Sequence, residues 1–141
     1  MPVSKLLVTA VVVGIVVNVY DLLVHGMLLQ GPLYSKLPLM RTDMSVPLLI
    51  VTDFVAAVVF VWVYQRVRSG FAPGAGGGAT FGLYAGVLVN FPTWIACYLL
   101  LEGFTYGLAW AWILTGILWA VLAGAVAGAL VSRSVPTAAA A

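Results

Sequence analysis

The sequence predicts an all-α integral membrane protein built as an antiparallel bundle of four transmembrane helices. Three observations predict this fold: 64% of the residues are hydrophobic, only 7% are charged, and four long apolar runs follow one another along 141 residues. A soluble domain carries about 25% charged residues, so this chain has too few charges to cover a surface in water. Lipid is therefore the expected solvent.

Each apolar run is long enough to cross a bilayer as a helix. A helix rises ~1.5 Å per residue, so about 20 residues span the ~30 Å hydrocarbon layer. The predicted helices cover about residues 3–29, 45–67, 79–101 and 106–131. Together they make a single membrane domain over residues 1–141.

The segments between these runs contain residues that end helices. Residues 30–44 carry two prolines and three charged residues, and they are predicted as a surface connection. Gly70 and the following Phe-Ala-Pro-Gly-Ala-Gly-Gly-Gly tract are predicted as a flexible loop, and residues 102–105 as a tight turn. Pro47 suits the first turn of helix two, whereas Pro92 is expected to kink helix three or open its hydrogen-bond ladder near Asn90.

Cations near the span ends predict the orientation, because cytoplasmic loops hold an excess of Lys and Arg. Four of the six cations fall at one end of the predicted bundle: Lys5, Arg66, Arg68 and Arg133. The other two, Lys36 and Arg41, fall at the other end. We therefore predict that both termini face the cytoplasm, in a multi-pass protein of the bacterial inner membrane.

Small residues at a fixed spacing predict where helices three and four meet. In lipid, helices associate through close van der Waals contact and interhelical hydrogen bonds, not through the hydrophobic effect. The small residues that recur at every fourth position are Gly82 and Gly86 on helix three, and Gly116, Ala120, Gly124 and Gly128 on helix four. Contact inside the bundle and docking of a second copy or a partner protein are both open.

Tryptophans mark the ends of the predicted spans. Those that lie nearer the ends than the centres are Trp62, Trp94, Trp110 and Trp112. Indole rings are enriched at the membrane–water interface, so we expect these four to be interfacial anchors and not a stacked aromatic box.

Polar residues inside the predicted spans are the most informative feature for function, because ionisable groups in a membrane are expensive and usually face the bundle interior. At about 100° per residue, Asn18, Asp21 and His25 share one face of helix one. Asp53 lies at a similar depth in antiparallel helix two, and Asn90 of helix three reaches the same layer or the layer beneath it. The sequence therefore predicts one buried polar cluster of these five residues toward the non-cytoplasmic side.

Several functions are open for this cluster. Its members can hydrogen-bond one another and set the helix register. A carboxylate beside an imidazole can also handle protons or cations, as in a small proton-linked transporter. His25 beside Gly26 can present a ring nitrogen to haem or chlorophyll, and a partner-binding site is a further alternative.

The sequence indicates no enzyme, because no nucleophile, base and orienting group occur together. The single histidine rules out a metal-binding His pair, and the lone Cys97 rules out a disulfide within the chain. Scattered cations do not predict nucleic-acid binding. Apart from the open haem or chlorophyll alternative, no cofactor or metal is predicted.

Helix one carries an acid followed by His-Gly, in the run Asp21-Leu22-Leu23-Val24-His25-Gly26. With the proline-containing outer loop, the Gly-rich middle loop and the final tight hairpin, residues 6–131 resemble small bacterial four-helix membrane proteins. This resemblance implies the fold and the compartment, and no substrate or reaction. We expect an accessory or scaffold protein whose partners are the lipid bilayer and either a larger membrane complex or further copies of itself. A proton-linked transporter is the alternative.

Overall fold

The computed structural model describes residues 2–37, 43 and 45–132. Four helices are long and apolar enough to cross a membrane, which confirms the predicted all-helical fold. They are α1 (Val3–Asp21, continued by the π-helical segment Leu22–Leu28), α2 (Val46–Val67), α3 (Ala75–Leu100) and α4 (Tyr106–Ser132). Short 3₁₀ turns cover Tyr34–Lys36 and Arg68–Gly70. Two cations used to predict the orientation, Arg41 and Arg133, lie outside the described residues.

Local chemistry explains where the helices begin. Pro47 stands in the first turn of α2, where its missing N–H breaks no intrahelical bond. Gly74 precedes α3 with a φ of 89°, and Gly103 turns the chain between α3 and α4 with a φ of 79°. The Thr105 hydroxyl accepts a hydrogen bond from the Leu108 N–H at 3.2 Å and so caps α4.

The third helix begins at Ala75, earlier than the predicted residue 79. The prediction was wrong because it took Gly76, Gly77 and Gly78 as loop, given the low helix propensity of glycine. Gly78 packs so closely on α4 that an added Cβ would lie 2.0 Å from the Gly124 carbonyl oxygen. Close backbone packing thus stabilises a helical turn that propensity alone disfavours.

Helix one is not a regular α-helix to its end, as the sequence prediction assumed. Leu22–Leu28 is π-helical, and the Leu29 N–H continues the wide turn by donating to the Val24 carbonyl at 2.9 Å. This segment begins directly after Asp21 and contains His25. Single π turns inside α-helices are frequent at functional sites.

The α3–α4 hairpin packs through its small residues. The facing pairs are Gly74 with Gly128, Gly78 with Gly124, Gly82 with Ala120, Gly86 with Ile117, and the side chain of Asn90 with Gly116. An added Cβ would lie 2.1 Å from the Ala120 carbonyl oxygen at Gly82, and 2.1 Å from the Gly78 carbonyl oxygen at Gly124. The predicted small-residue stripe therefore faces a helix of the same chain.

Helix α4 is central because it packs against each of the other three helices. The core that α4 shares with α1 and α2 contains Val13, Val17, Ala57, Val61, Ala123 and Ala127. The Phe60 ring of α2 packs edge-on against Phe81 of α3 at 5.1 Å and against Trp119 of α4 at 6.1 Å. Because α1 and α3 each pack on α4, residues of α4 lie beside both.

Pro92 lies inside α3, which runs without interruption from Ala75 to Leu100. The predicted opening near Asn90 therefore does not break the helix. The Asn90 amide donates to the Gly86 carbonyl at 2.9 Å, and the Thr93 hydroxyl donates to the Val89 carbonyl at 2.6 Å. These bonds go to carbonyls near that of Leu88, which loses its usual N–H donor at Pro92.

Substituting Gly82 with Ala is expected to destabilise the protein by about 1–3 kcal/mol, because the added methyl group overlaps the Ala120 carbonyl. Gly76→Ala is the matched control, since nothing lies within 4 Å of its Cβ position on the same helix. At Gly76, the higher helix propensity of alanine is expected to keep or raise stability. Thermal unfolding in detergent measures both variants, and equal midpoints would contradict this interface.

Candidate functional site

Two acidic side chains from neighbouring helices meet inside the membrane-spanning region. Asp21 is the last residue of α1, Asp53 lies near the start of α2, and their carboxyl groups lie close enough to interact. At 1.5 Å per residue, both lie about 10 Å from the same end of the bundle. An ionised carboxylate only accepts hydrogen bonds, so two carboxyl groups can bond each other only when one of them is protonated. The geometry is therefore that of two adjacent carboxyl groups.

Helix α4 contributes hydrogen bonds around this pair. The Trp119 indole N–H donates to Asp21 Oδ2 at 3.2 Å, and the Tyr20 hydroxyl donates to the Thr115 carbonyl at 2.8 Å. Trp119 is not among the site residues predicted from the sequence. An indole N–H within an apolar span needs a hydrogen-bond acceptor, and that requirement could have indicated Trp119.

His25 lies on the other side of Asp21 and joins it to the connection after helix one. Its Nε2 is 3.7 Å from Asp21 Oδ1, which is longer than a hydrogen bond. Its Nδ1 hydrogen-bonds the Tyr34 hydroxyl, and the two rings are parallel. The Tyr34 hydroxyl also accepts from the Trp112 indole N–H at 2.7 Å.

The donor and acceptor properties of these groups fix which one donates in each hydrogen bond. An indole N–H only donates, so the Tyr34 oxygen is the acceptor from Trp112. Within the described residues, the Tyr34 hydroxyl proton therefore has one acceptor, the His25 nitrogen. His25 Nδ1 is then the accepting nitrogen, and the Nε2–H faces the Asp21 carboxyl group.

Tyr34 corrects the prediction that residues 30–44 form only a surface connection. Its side chain is 5% exposed and packs with Phe104 and Leu108. Turn bonds place it there, because the Leu33 and Tyr34 N–H groups both donate to the Leu29 carbonyl. Burial raises the pKa of Tyr34 above its ordinary value of 10.0, so the phenol stays protonated at neutral pH.

An aromatic cluster that includes Trp94 and Trp112 surrounds Tyr34. The rings of these two tryptophans pack edge to face with centroids 4.5 Å apart, and Phe104 lies 5.5 Å from Trp112. Tyr34 meets the edge of Trp112 at 6.3 Å. Both tryptophans are half-buried near one end of the bundle, and their role as interfacial anchors stays a prediction. Trp62, by contrast, is 48% exposed.

Asn18 and Asn90, the two asparagines of the predicted cluster, bind elsewhere. The Asn18 amide donates to the Gly14 carbonyl at 2.8 Å. The Asn90 oxygen accepts from the Trp94 indole at 3.2 Å, while its amide bonds its own helix. The alternative in which Asp21, His25, Asp53 and Asn90 hydrogen-bond one another does not include Asn90 here, because its amide bonds the carbonyl one turn earlier, as asparagine in a helix readily does. The structure brings together Asp21, His25 and Asp53.

The acidic pair is enclosed only in part. The side chains of Asp21 and His25 keep 28% and 34% of their exposure, and Asp53 is half-buried. Their outward neighbours on helix one, Leu22 and Leu23, are exposed. The site is thus open on the outer side of α1.

Metal or pigment binding gains no support from this geometry. No group of three or more His, Cys, Asp or Glu side chains that could hold a metal occurs in the described part of the chain. Haem or chlorophyll ligation needs an available imidazole nitrogen. In His25, Nδ1 is bonded to Tyr34 and Nε2 faces Asp21.

Tyr34→Phe is expected to destabilise the protein by about 1–3 kcal/mol, because it leaves the Trp112 N–H and the His25 nitrogen without their shared partner. Tyr84→Phe is the control, since Tyr84 is 63% exposed. The measurement is the thermal midpoint together with the NMR shift of the Trp112 indole proton. If both variants melt alike and the indole signal stays in place, the hydrogen-bond chain is absent.

Comparison with known proteins does not extend this picture. No protein-family model, no curated protein and no solved structure matches the chain. The likeness of the Asp21-to-Gly26 run to small bacterial membrane proteins therefore stays a prediction. Inference about function depends on the geometry of Asp21, His25, Tyr34 and Asp53.

Proposed function

We propose that this chain is a membrane protein that takes up and releases protons at the Asp21–Asp53 pair, as part of a proton-linked carrier. The single observation that carries the proposal is the close approach of the two carboxyl groups from α1 and α2. The proposed setting is a bacterial inner membrane with both termini in the cytoplasm. The pair then lies toward the non-cytoplasmic side.

The choice of acids supports proton exchange over a purely structural role. An amide would hydrogen-bond across helices without the cost of a titratable group in lipid. Two adjacent carboxyl groups share one proton readily, because a second negative charge at that distance is strongly disfavoured. Such a pair changes its charge by one proton at a time, which a proton-linked cycle requires.

The contacts of His25 support a route for the proton. A proton that reaches Nδ1 through the Tyr34 hydroxyl makes the imidazole doubly protonated. The ring returns to neutral when the Nε2 proton passes to Asp21, after the 3.7 Å gap closes to hydrogen-bond distance. The Tyr34 oxygen then takes a proton from water on the outer side, and the ring, left with its proton on Nδ1, turns back to the Nε2–H form before the next transfer. The π-helical segment that carries His25 is the part of helix one that moves in this step.

Asp21→Asn and Asp53→Asn are each expected to lower proton flux into liposomes by about 10²-fold or more, since each removes half of the proton-sharing pair. A pH-sensitive dye inside the liposomes measures the flux after a pH jump. Glu102→Gln is the matched control, because it removes an exposed acid in the turn between α3 and α4. Infrared spectra of the same samples report the protonated carboxyl group of the pair.

Two outcomes contradict this proposal. One is flux that is equal in the wild type, both Asn variants and the control. The other is a pair whose protonated carboxyl band does not change with pH, while both Asn variants only lower the thermal midpoint. The second result would mean that the cluster has a structural role and sets the register of α1 and α2.

An accessory or scaffold role within a membrane assembly is the second candidate. The partial exposure of Asp21 and His25 favours it, because polar groups exposed to lipid are expensive and a partner helix can cover them. The neighbouring face of α2 is apolar and forms a shallow depression of about 320 Å³. It is lined by Val51, Phe54, Val55, Val58 and Val59. A second copy or a membrane-protein partner is the proposed occupant.

Native mass spectrometry from lipid nanodiscs is expected to find a dimer or a stoichiometric partner. Val55→Trp is expected to reduce that association, because Val55 lies on this face and is 58% exposed. Val89→Trp is the control on α3, where Val89 is 60% exposed. A monomer at all concentrations, with proton flux intact, would remove the assembly role and leave the carrier.

A further inference from the structure

A second site lies at the opposite end of the bundle from the acidic pair. There the end of α2, the start of α3 and the end of α4 surround a cavity of about 490 Å³. Its lining residues are Tyr64, Arg68, Ser69, Phe71, Ala72, Pro73, Gly74, Gly128 and Val131. The volume falls in the range of about 300–1,000 Å³ that is usual for small-molecule sites.

The charge at this end is one-sided. All four acids of the chain, at positions 21, 43, 53 and 102, belong to the other end of the helices or to the connections there. Arg68 is half-buried at the cavity and forms no ion pair within the described residues. Arg66, two residues earlier, instead holds its guanidinium 5.0 Å from the Trp62 ring centroid. Among the described residues, no acidic side chain at this end of the bundle neutralises the positive charge in the cavity.

Tyr64 provides a second, independent observation. Its side chain is 3% exposed and lines the cavity, and the described part of the chain supplies its hydroxyl with no hydrogen-bond partner. No fully buried side-chain oxygen or nitrogen among the described residues lacks a partner. Because Tyr64 lines the cavity, its hydroxyl is placed to donate a hydrogen bond to a ligand there.

Apart from Ser69, the remaining side chains of the lining are apolar. Phe71 packs on Phe81 with ring centroids 5.6 Å apart, and Pro73 and Val131 complete the lining beside it. A guanidinium and a phenol hydroxyl next to apolar walls match an amphiphile with an anionic head. The cavity lies at one end of helices that are long and apolar enough to cross a membrane, and lipid headgroups adjoin the ends of membrane-spanning helices.

We propose that this cavity binds the phosphate diester headgroup of an anionic phospholipid from the adjacent leaflet. Arg68 binds the phosphate by charge-assisted hydrogen bonds, the Tyr64 hydroxyl donates to a phosphate oxygen, and the first acyl carbons lie along Phe71. The site shares no residue with the Asp21–Asp53 pair. It therefore holds whether or not the chain carries protons.

Native mass spectrometry tests the proposal on the full chain released from mixed phosphatidylglycerol and phosphatidylcholine. One phosphatidylglycerol is expected to stay bound to the wild type. Arg68→Gln is expected to weaken its retention by about tenfold or more, because a charge-assisted hydrogen bond is lost. Arg66→Gln is the matched control, since it removes the same charge outside the cavity and is expected to retain the lipid.

Tyr64→Phe keeps the aromatic packing and removes only the donor, so it serves if Arg68→Gln does not fold; weaker retention in this variant supports the site. Equal losses in the Arg66 and Arg68 variants overturn the proposal in favour of diffuse attraction. Equal retention of phosphatidylcholine overturns the preference for an anionic head. Displacement of the lipid by inorganic phosphate identifies a site for free phosphate and overturns the assignment to lipid.

Discussion

The adjacent carboxyl groups of Asp21 and Asp53 link α1 to α2 at a depth where lipid offers no polar partner. Helices in a bilayer gain no hydrophobic free energy from meeting each other, so polar contacts of this kind and close packing hold them together. The Trp119 indole extends the link to α4. Three of the four helices therefore meet at one polar contact.

Helix α4 can take part in this contact because one part of its surface carries small residues and another part carries indole rings. Its small residues, such as Gly124, let the α3 backbone approach closely. Its indoles reach α1 and the connection after it, where Trp119 bonds Asp21 and Trp112 bonds Tyr34. Large and small side chains on one helix thus produce a tight hairpin on one side and a looser polar contact on the other. The looser contact is the site of the proposed proton exchange.

The two ends of the bundle carry different titratable and charged side chains. The acids, His25 and the Tyr34 phenol lie at one end, whereas Arg66 and Arg68 lie at the other. An uneven distribution of positive charge orients a membrane protein during insertion, and it also attracts anionic headgroups. The proposed proton site and the proposed lipid site are therefore separated by most of the membrane thickness.

Much of the fold follows from the order of apolar and polar residues along the chain. Four runs of about 20 or more apolar residues have no stable place outside lipid, and helices are the way to satisfy their backbones there. The approximate spans, and the similar depth of Asp21 and Asp53 in antiparallel helices, follow from counting residues at a fixed rise. The side-chain partners do not follow from counting, because they depend on how each helix is rotated against its neighbours.

By itself, therefore, the sequence determined the class of the fold, the number of candidate spans and the presence of ionisable groups within them. Only the tertiary structure decided that Gly76 to Gly78 are helical, since packing on α4 outweighs their propensity. It also decided that Tyr34 folds inward to His25 and that Asn90 bonds Trp94 instead of the acids. The physical reason is that hydropathy and periodicity describe one helix in a solvent, whereas a hydrogen bond between helices depends on the positions of both.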